Sequence, residues 1–553
     1  MLPALQSGTM IAGSDRSSII VKGTISFNEV EFDNCCIIVA VAATATLRGC
    51  TFSNSDVAIF ASSQQVSVTM RQCKLRDCRH GVVVTDGAQV SVEGEVAVPE
   101  PCDARADRGG GPADTGTTFE GCGEAMFVVG PTSSLEVEGG WVTGGRGDCV
   151  TACQGGYLKL VDVNVAGSTE GVGVVLIGEG TKLDMHACKV SGHAQQGLKM
   201  SLMSVADIIA CEFTDCDGYA VLVVGGALAV FTECCRFDRS LMGVMVAGDT
   251  AVAKLSQCSA SYNHQFGMIA LMGGTLVASK CDACYNGQNS PAASGSTPPP
   301  AGFSTSGNQS KATLVECSAS FNTGQMGAGF NVVSGAKMVA YKCEAKRNQL
   351  AGVSVISTNE SQSTGEFTLC TFGGSVHGVT AVGGAMVILE NCSFCENTGE
   401  GVMVARGKAS VHSGSAVGNR ECGVCVKGDG AMASVCRLAV SGGKVGLMAS
   451  EKGELSAVEC TAEQNSHSGV EVNAGGKASI VSCQLNDNAG AGIDVRDEGH
   501  ANVTFSRTSG NTEAGIRVAG GSQVELTHCQ SEDGTPYEVA VRSKCVRIGC
   551  VPE

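Results

Sequence analysis

The chain has 553 residues, 30 of them cysteine and 75 glycine, and a formal net charge of -17. That charge speaks against a nucleic-acid phosphate backbone as partner, and no stretch approaches the roughly 18 uninterrupted apolar residues of a membrane span. So dense a glycine content excludes long helices, since each interior Gly costs about 1 kcal/mol relative to Ala.

A unit of about 23 residues recurs instead: Gly, apolar, any, apolar, a glycine turn, then Cys, then Asn, then Gly again. Inside it, short period-two runs broken by turns are the signature of strands, and no copy offers helical spacing. The fold class is therefore all-β, a solenoid of roughly 20 coils of about three short strands, each pairing in parallel with its equivalent one coil on, stacked about 4.8 Å apart.

In chain order, residues 1–18 lack the basic and apolar regions of a signal peptide. Strand-like sequence follows at once, so the first open coil needs a cap: a missing N-terminal region, a partner, or residues 1–18 as a minimal cap. Coils fill 19–93, with starts at Val57 and Gly81. Residues 94–121 form a charged, Pro/Gly-rich inserted loop. Coils resume over 122–286, starting at Ala125, Cys149, Gly173, Gly197, Ala220, Gly243 and Gly267, and a Pro/Ser/Gly-rich loop interrupts them at 287–300. Over 301–530 the starts are Gly329, Gly352, Gly378, Gly401, Gly423, Gly446, Gly469, Gly492 and Gly515, and 531–553 is a C-terminal cap segment.

Three residue types punctuate the coil. Paired glycines such as Gly225-Gly226 and Gly520-Gly521 mark a turn needing positive φ. Asn263, Asn322, Asn348, Asn397, Asn419, Asn465, Asn488 and Asn511 precede the starting glycine, where Asn tolerates the left-handed conformation and can bond the Asn one coil away. Cys188, Cys211, Cys234 or Cys235, Cys258 and Cys281, then Cys317, Cys343, Cys370 and Cys392, then Cys436, Cys460 and Cys483 recur at one phase, with Ser506 taking the place in one coil. They read as reduced packing thiols. The CxxC pairs Cys281/Cys284, Cys392/Cys395 and Cys422/Cys425 have no second pair or His cluster to complete a tetrahedral zinc site, so no metal and no cofactor is expected. So many thiols suggest a reducing, cytoplasmic location.

The motif Gly-apolar-x-apolar, Gly turn, Cys-x-apolar-x-x-Asn, as in NCSFCENTGEGVMV from Asn391 to Val404, resembles the right-handed parallel β-helix repeats of the pectin-lyase-like superfamily. The cysteine-rich flavour is similar to the β-helix of certain F-box proteins that select substrates for ubiquitin ligases, although no F-box-like helical segment is present in this sequence. The resemblance implies fold over nearly the whole chain. Its functions range from polysaccharide lyases, hydrolases and epimerases to non-catalytic binding rods. The hydrolase runs Asn-Thr-Asp, Asp-Asp, Gly-His-Gly and Arg-Ile-Lys and the lyase run Arg-x-Pro-x-x-Arg are all missing.

Function must then come from the outward surface. The x position of Gly-apolar-x-apolar reads Ile59, Val83, Phe127, Thr151, Val175, Lys199, Leu222, Met245, Ile269, Ser304, Asn331, Ser354, Thr380, Met403, Cys425, Met448, Glu471, Asp494 and Arg517. Large apolar residues dominate, an exposed strip that marks a protein interface. The leading expectation is a non-catalytic scaffold binding an unknown protein through Val175, Leu222, Met245, Ile269, Met403 and Met448. The alternative is a polysaccharide-acting enzyme with Glu471, Asp494 and Arg517 as catalytic residues, because paired carboxylates can divide acid and base roles. Its structural counterpart is a surface charge ladder in which Asp494 and Arg517 pair. Polysaccharide is a partner only under that alternative; neither nucleic acid nor membrane is expected.

Overall fold

The computed structural model describes residues 10–94, 116–288, 300–324, 327–358 and 361–551. Among the described residues there is no helix, and the parallel strands form about 22 turns of about 23 residues. The chain divides into two units, Met1–Val277 and Ala278–Glu553, built alike. In the first, the strands Val174–Ile177, Lys182–His186 and Lys189–Ser191 make one coil. They pair residue for residue with Leu198–Ser201, Val205–Ile209 and Glu212–Thr214 of the next. In the second, Val445–Ser450, Glu454–Val458 and Thr461–Glu463 pair likewise with Val470–Val472, Lys477–Val481 and Gln484–Asn486.

Period-two alternation decides which side chains enter the coil. In Lys477–Val481, Ala478 and Ile480 are buried between exposed Lys477 and Ser479. The third strand points one large residue inward, and in several coils it is a phenylalanine: Phe213 and Phe237 stack at 5.8 Å, Phe372 and Phe394 at 6.0 Å. Such stacks add to the buried area that a single coil could not supply.

Both polar corners use one device. A residue in the left-handed region bends the chain, and the next side chain turns inward to accept the backbone N–H of its equivalent one coil earlier. At one corner Gln464 and Asp487 are left-handed (φ 55° and 54°); Asn465 N donates to Asn488 Oδ1 at 3.1 Å and Asn465 Nδ2 to the same oxygen at 2.9 Å. Asn488 repeats this with Asn511, and Asn511 with the carboxylate of Asp533. The left-handed residue is thus the one before the asparagine, not the asparagine itself. At the other corner Ala187, Ala210, Glu459 and Ser482 are left-handed and precede Cys188, Cys211, Cys460 and Cys483. There Cys188 N donates to Cys211 Sγ at 3.4 Å, and Cys483 N to Ser506 Oγ at 3.1 Å. The sulfur serves as a weak acceptor as well as an apolar filler.

One open assignment is resolved and one changes. Cys235 is buried and Cys234 exposed, so Cys235 holds the corner. Cys436 lies in register with His412 and Val458, so it is outside the row. Gly414 and Leu438 stand between Cys392 and Cys460 instead. The segments read as caps also carry strands: Met10–Val21 pairs with Glu31–Ala40, and Lys544–Ile548 with Gln523–Thr527. Most of the two inserted loops lies outside the described residues.

Candidate functional site

The first strand of each coil turns two side chains outward, three residues apart, because the small residue after the first of them bends the strand. In the coil beginning at Tyr219 these are Tyr219 and Leu222, in register with Met242 and Met245 of the next. In the second unit the two columns run Glu400 and Met403, Cys422 and Cys425, Val445 and Met448. The sequence phase is right from Val83 onward. Before it, Val83 pairs with Phe60, and Ile59 is an inward residue, fully buried.

The strip is less open than its sequence suggests. Val175 and Ile269 are 2% and 1% exposed, and Leu222, Met245, Met403 and Met448 are half-buried. Neighbours about 4.8 Å above and below cover one another, and the second outward column shields the first from the side. Beside this strip, sequence reasoning missed a turn. Leu202 and Met203 are 59% and 56% exposed, both left-handed at φ 54° and 64°, where the next coil has Gly225 and Gly226. Met203 N donates to Gly225 O at 3.0 Å, which fixes that register. Met272, 73% exposed and left-handed at φ 50°, stands at the equivalent turn further along. The available signal was a Leu-Met pair at a Gly-Gly phase.

The residues of the catalytic alternative are brought together, but in a closed arrangement. Glu471, Asp494 and Arg517 stack in register. Glu471 and Asp494 are 4% and 1% exposed, buried rather than lying in a surface ladder. Arg517 grips Asp494 with two bonds, Nε to Oδ1 at 3.0 Å and Nη2 to Oδ2 at 2.6 Å. Its Nη1 reaches Glu513 at 2.5 Å, and the Asp494 bond holds the guanidinium above its ordinary pKa. Glu471 accepts from Arg496 Nη2 at 2.6 Å and from Asn473 at 2.5 Å. Both carboxylates are committed to guanidinium partners in a planar, charge-assisted geometry, which supports a charge-neutral seam more than a general acid.

Two histidine–glutamate pairs occupy the other outward column, one in each unit. His80 Nδ1 is 3.2 Å from Glu124 Oε2, and His377 Nδ1 is 2.7 Å from Glu400 Oε2. Burial raises the Glu124 carboxyl above its ordinary range, with Thr151 and His80 opposing. At Glu400 burial is again the largest influence, but the histidine bond and charge outweigh it and the carboxyl is lowered. Among the described residues no three His, Cys, Asp or Glu side chains gather as a metal group.

No curated protein sequence matches the chain. Among solved structures, the periplasmic alginate epimerase AlgG is 10% identical, with 67% of this chain and 73% of that one covered and a TM-score of 0.23. The mannuronan C-5 epimerase AlgE6 A-module of Azotobacter vinelandii is also 10% identical, covering 75% and 91% at a TM-score of 0.23. Likeness at that level carries no argument about activity. The family model of the right handed beta helix region matches residues 6–99, 199–367 and 356–531. With more than half its length matched and its strands in parallel coils, the chain belongs to the right-handed parallel β-helix family.

Proposed function

We propose that the chain is a non-catalytic β-helix scaffold that binds another protein in a reducing, cytoplasmic compartment, through an apolar surface centred on Leu222 and Met245. The observation that carries this reading is the Leu202-Met203 turn, where two large apolar side chains stand 59% and 56% exposed at the phase that the next coil fills with Gly225 and Gly226. Exposed large apolar side chains grouped in this way favour a surface kept for contact. They border the half-buried pair Leu222 and Met245 on the same face, with Tyr219 and Met242 beside it. The polysaccharide alternative draws less support, because Glu471 and Asp494 are buried in ion pairs.

The double variant Leu202→Gly with Met203→Gly separates the roles. It relieves backbone strain and removes the side chains, so the melting temperature is expected to rise by a few degrees while the protein captured from native cytosol by the unaltered chain is lost. Leu222→Asp with Met245→Asp is expected to lose the same protein. Retention of that protein by both folded variants would overturn the reading. Polysaccharide cleavage that disappears in Glu471→Gln and Asp494→Asn would replace it with the enzyme.

A further inference from the structure

The second unit holds a sulfur cluster on its outward face that the packing cysteines do not resemble. Strand Cys422–Lys427 opens with Cys422 outward, bends at Gly423, and presents Cys425 outward again. Met448 of the next coil lies opposite Cys425 in register. Cys422 Sγ is 3.9 Å from Met448 Sδ, and Cys425 Sγ is 3.8 Å from it. A metal–sulfur bond is about 2.3 Å long, so an ion seated between sulfurs 3.8 and 3.9 Å apart lies within bonding reach of both members of each pair.

We propose that Cys422, Cys425 and Met448 form a three-sulfur site for a soft monovalent metal ion of the copper(I) class. Two thiols and a thioether are soft, polarisable donors, the set that selects copper(I) over hard cations. Three donors also leave zinc's tetrahedron incomplete. Position argues the same way. The cysteines of the corner rows point into the coil, whereas Cys422 and Cys425 occupy both outward columns of one coil, the only described coil with cysteine at both. They are 4% and 3% exposed, under a half-buried Met448, so a small ion reaches them when one flexible side chain moves. Met403 stands in register on the other side of Cys425.

The surroundings suit a cation. The carboxylates of Glu400 and Glu471 place negative charge near Cys422. Binding balances as copper(I) and two thiols giving a bis-thiolate complex, with the thioether as third donor and two protons set free. No electron moves.

The test titrates the intact, reduced chain with copper(I) against bicinchoninate as competing chelator, and reads the first equivalent by X-ray absorption. The unaltered chain is expected to bind one tightest equivalent with three sulfurs at about 2.3 Å. Met448→Leu keeps the apolar volume, and is expected to show two sulfurs and an affinity about 10- to 100-fold lower. Cys422→Ala with Cys425→Ala is expected to lose the tightest equivalent while the inward cysteines remain. An unchanged first equivalent in either variant, a four-sulfur shell, or equal competition by zinc(II) would overturn the site. Should the double variant fail to fold, the sulfur count in Met448→Leu decides.

Discussion

A single buried histidine shows how the polar corner sets pH dependence. His193 stands in the row that asparagines fill in later coils and is 1% exposed. Its Nδ1 accepts from Ser168 N at 3.3 Å, and its Nε2 faces Val165 O at 3.1 Å as donor. Burial lowers its pKa, with the Val165 bond opposing. The sign follows: below the unfolded value of about 6.5 the unfolded chain takes a proton that the folded ring refuses, so stability is intact above it and falls on acidification. His193→Asn supplies the same acceptor and donor, as Asn488 does toward Asn465 N and Ala462 O. It is expected to cost about 1 kcal/mol near neutral pH through lost packing and to shrink the melting-temperature drop between about pH 7 and pH 5. An equal drop in both proteins would show that His193 does not titrate on unfolding. Asparagines at this phase were legible because each recurs one period on. His193 was not, since nothing in a lone histidine marks it as an asparagine substitute. Glu471 and Asp494 were legible as a stacked pair, but their burial depends on Arg496 and Arg517 folding over them, a matter of rotamers that spacing does not carry.

At the scale of one strand, the starting glycine was visible as a period marker and its reason was not. Gly446 carries no positive φ; a Cβ there would lie 2.4 Å from Gly469 O and 2.7 Å from the Ala462 Cβ. The glycine lets the bend between the two outward columns pass close to the next coil, which is how Cys422 and Cys425, on either side of Gly423, come to share a face. Gly446→Ala must push the next coil away and is expected to destabilise by about 1–3 kcal/mol. Gly534→Ala, with open space around it and no positive φ, is the control and is expected to be within about 0.5 kcal/mol of the unaltered chain. Chemical denaturation of both variants measures the difference. Ala220 at the equivalent position of the first unit shows that a coil built around a methyl accommodates it, so the cost at Gly446 belongs to its local spacing. Strand order and register were legible from the period; the exposure of the strip was not, because it depends on how two outward columns shield each other.

For the molecule as a whole, stability is a sum over coils, each held by its neighbours, and the thiols are placed to report it. Cys460 is buried in the corner row, and the hydrogen bond from Cys483 brings its pKa down to about 7. Thiolate content alone would make it quick to alkylate. Cys436 is half-buried and stands outside the row. If access governs, Cys436 reacts early and Cys460 only when its coil opens, with a rate that tracks denaturant as local unfolding does. Alkylation followed by mass spectrometry, site by site, separates the two cases. The expected order is Cys436 first, with Cys460 and Cys483 slowing together. Rapid labelling of Cys460 in native buffer would mean that coils in the middle of the second unit open independently, so that their stacking is weaker than in-register parallel pairing implies. Because the corner cysteines accept backbone hydrogen bonds from the preceding coil, alkylating one also breaks a link between coils. Labelling at Cys460 is therefore expected to accelerate labelling at Cys483, a cooperativity that a globular core with isolated buried thiols would not show.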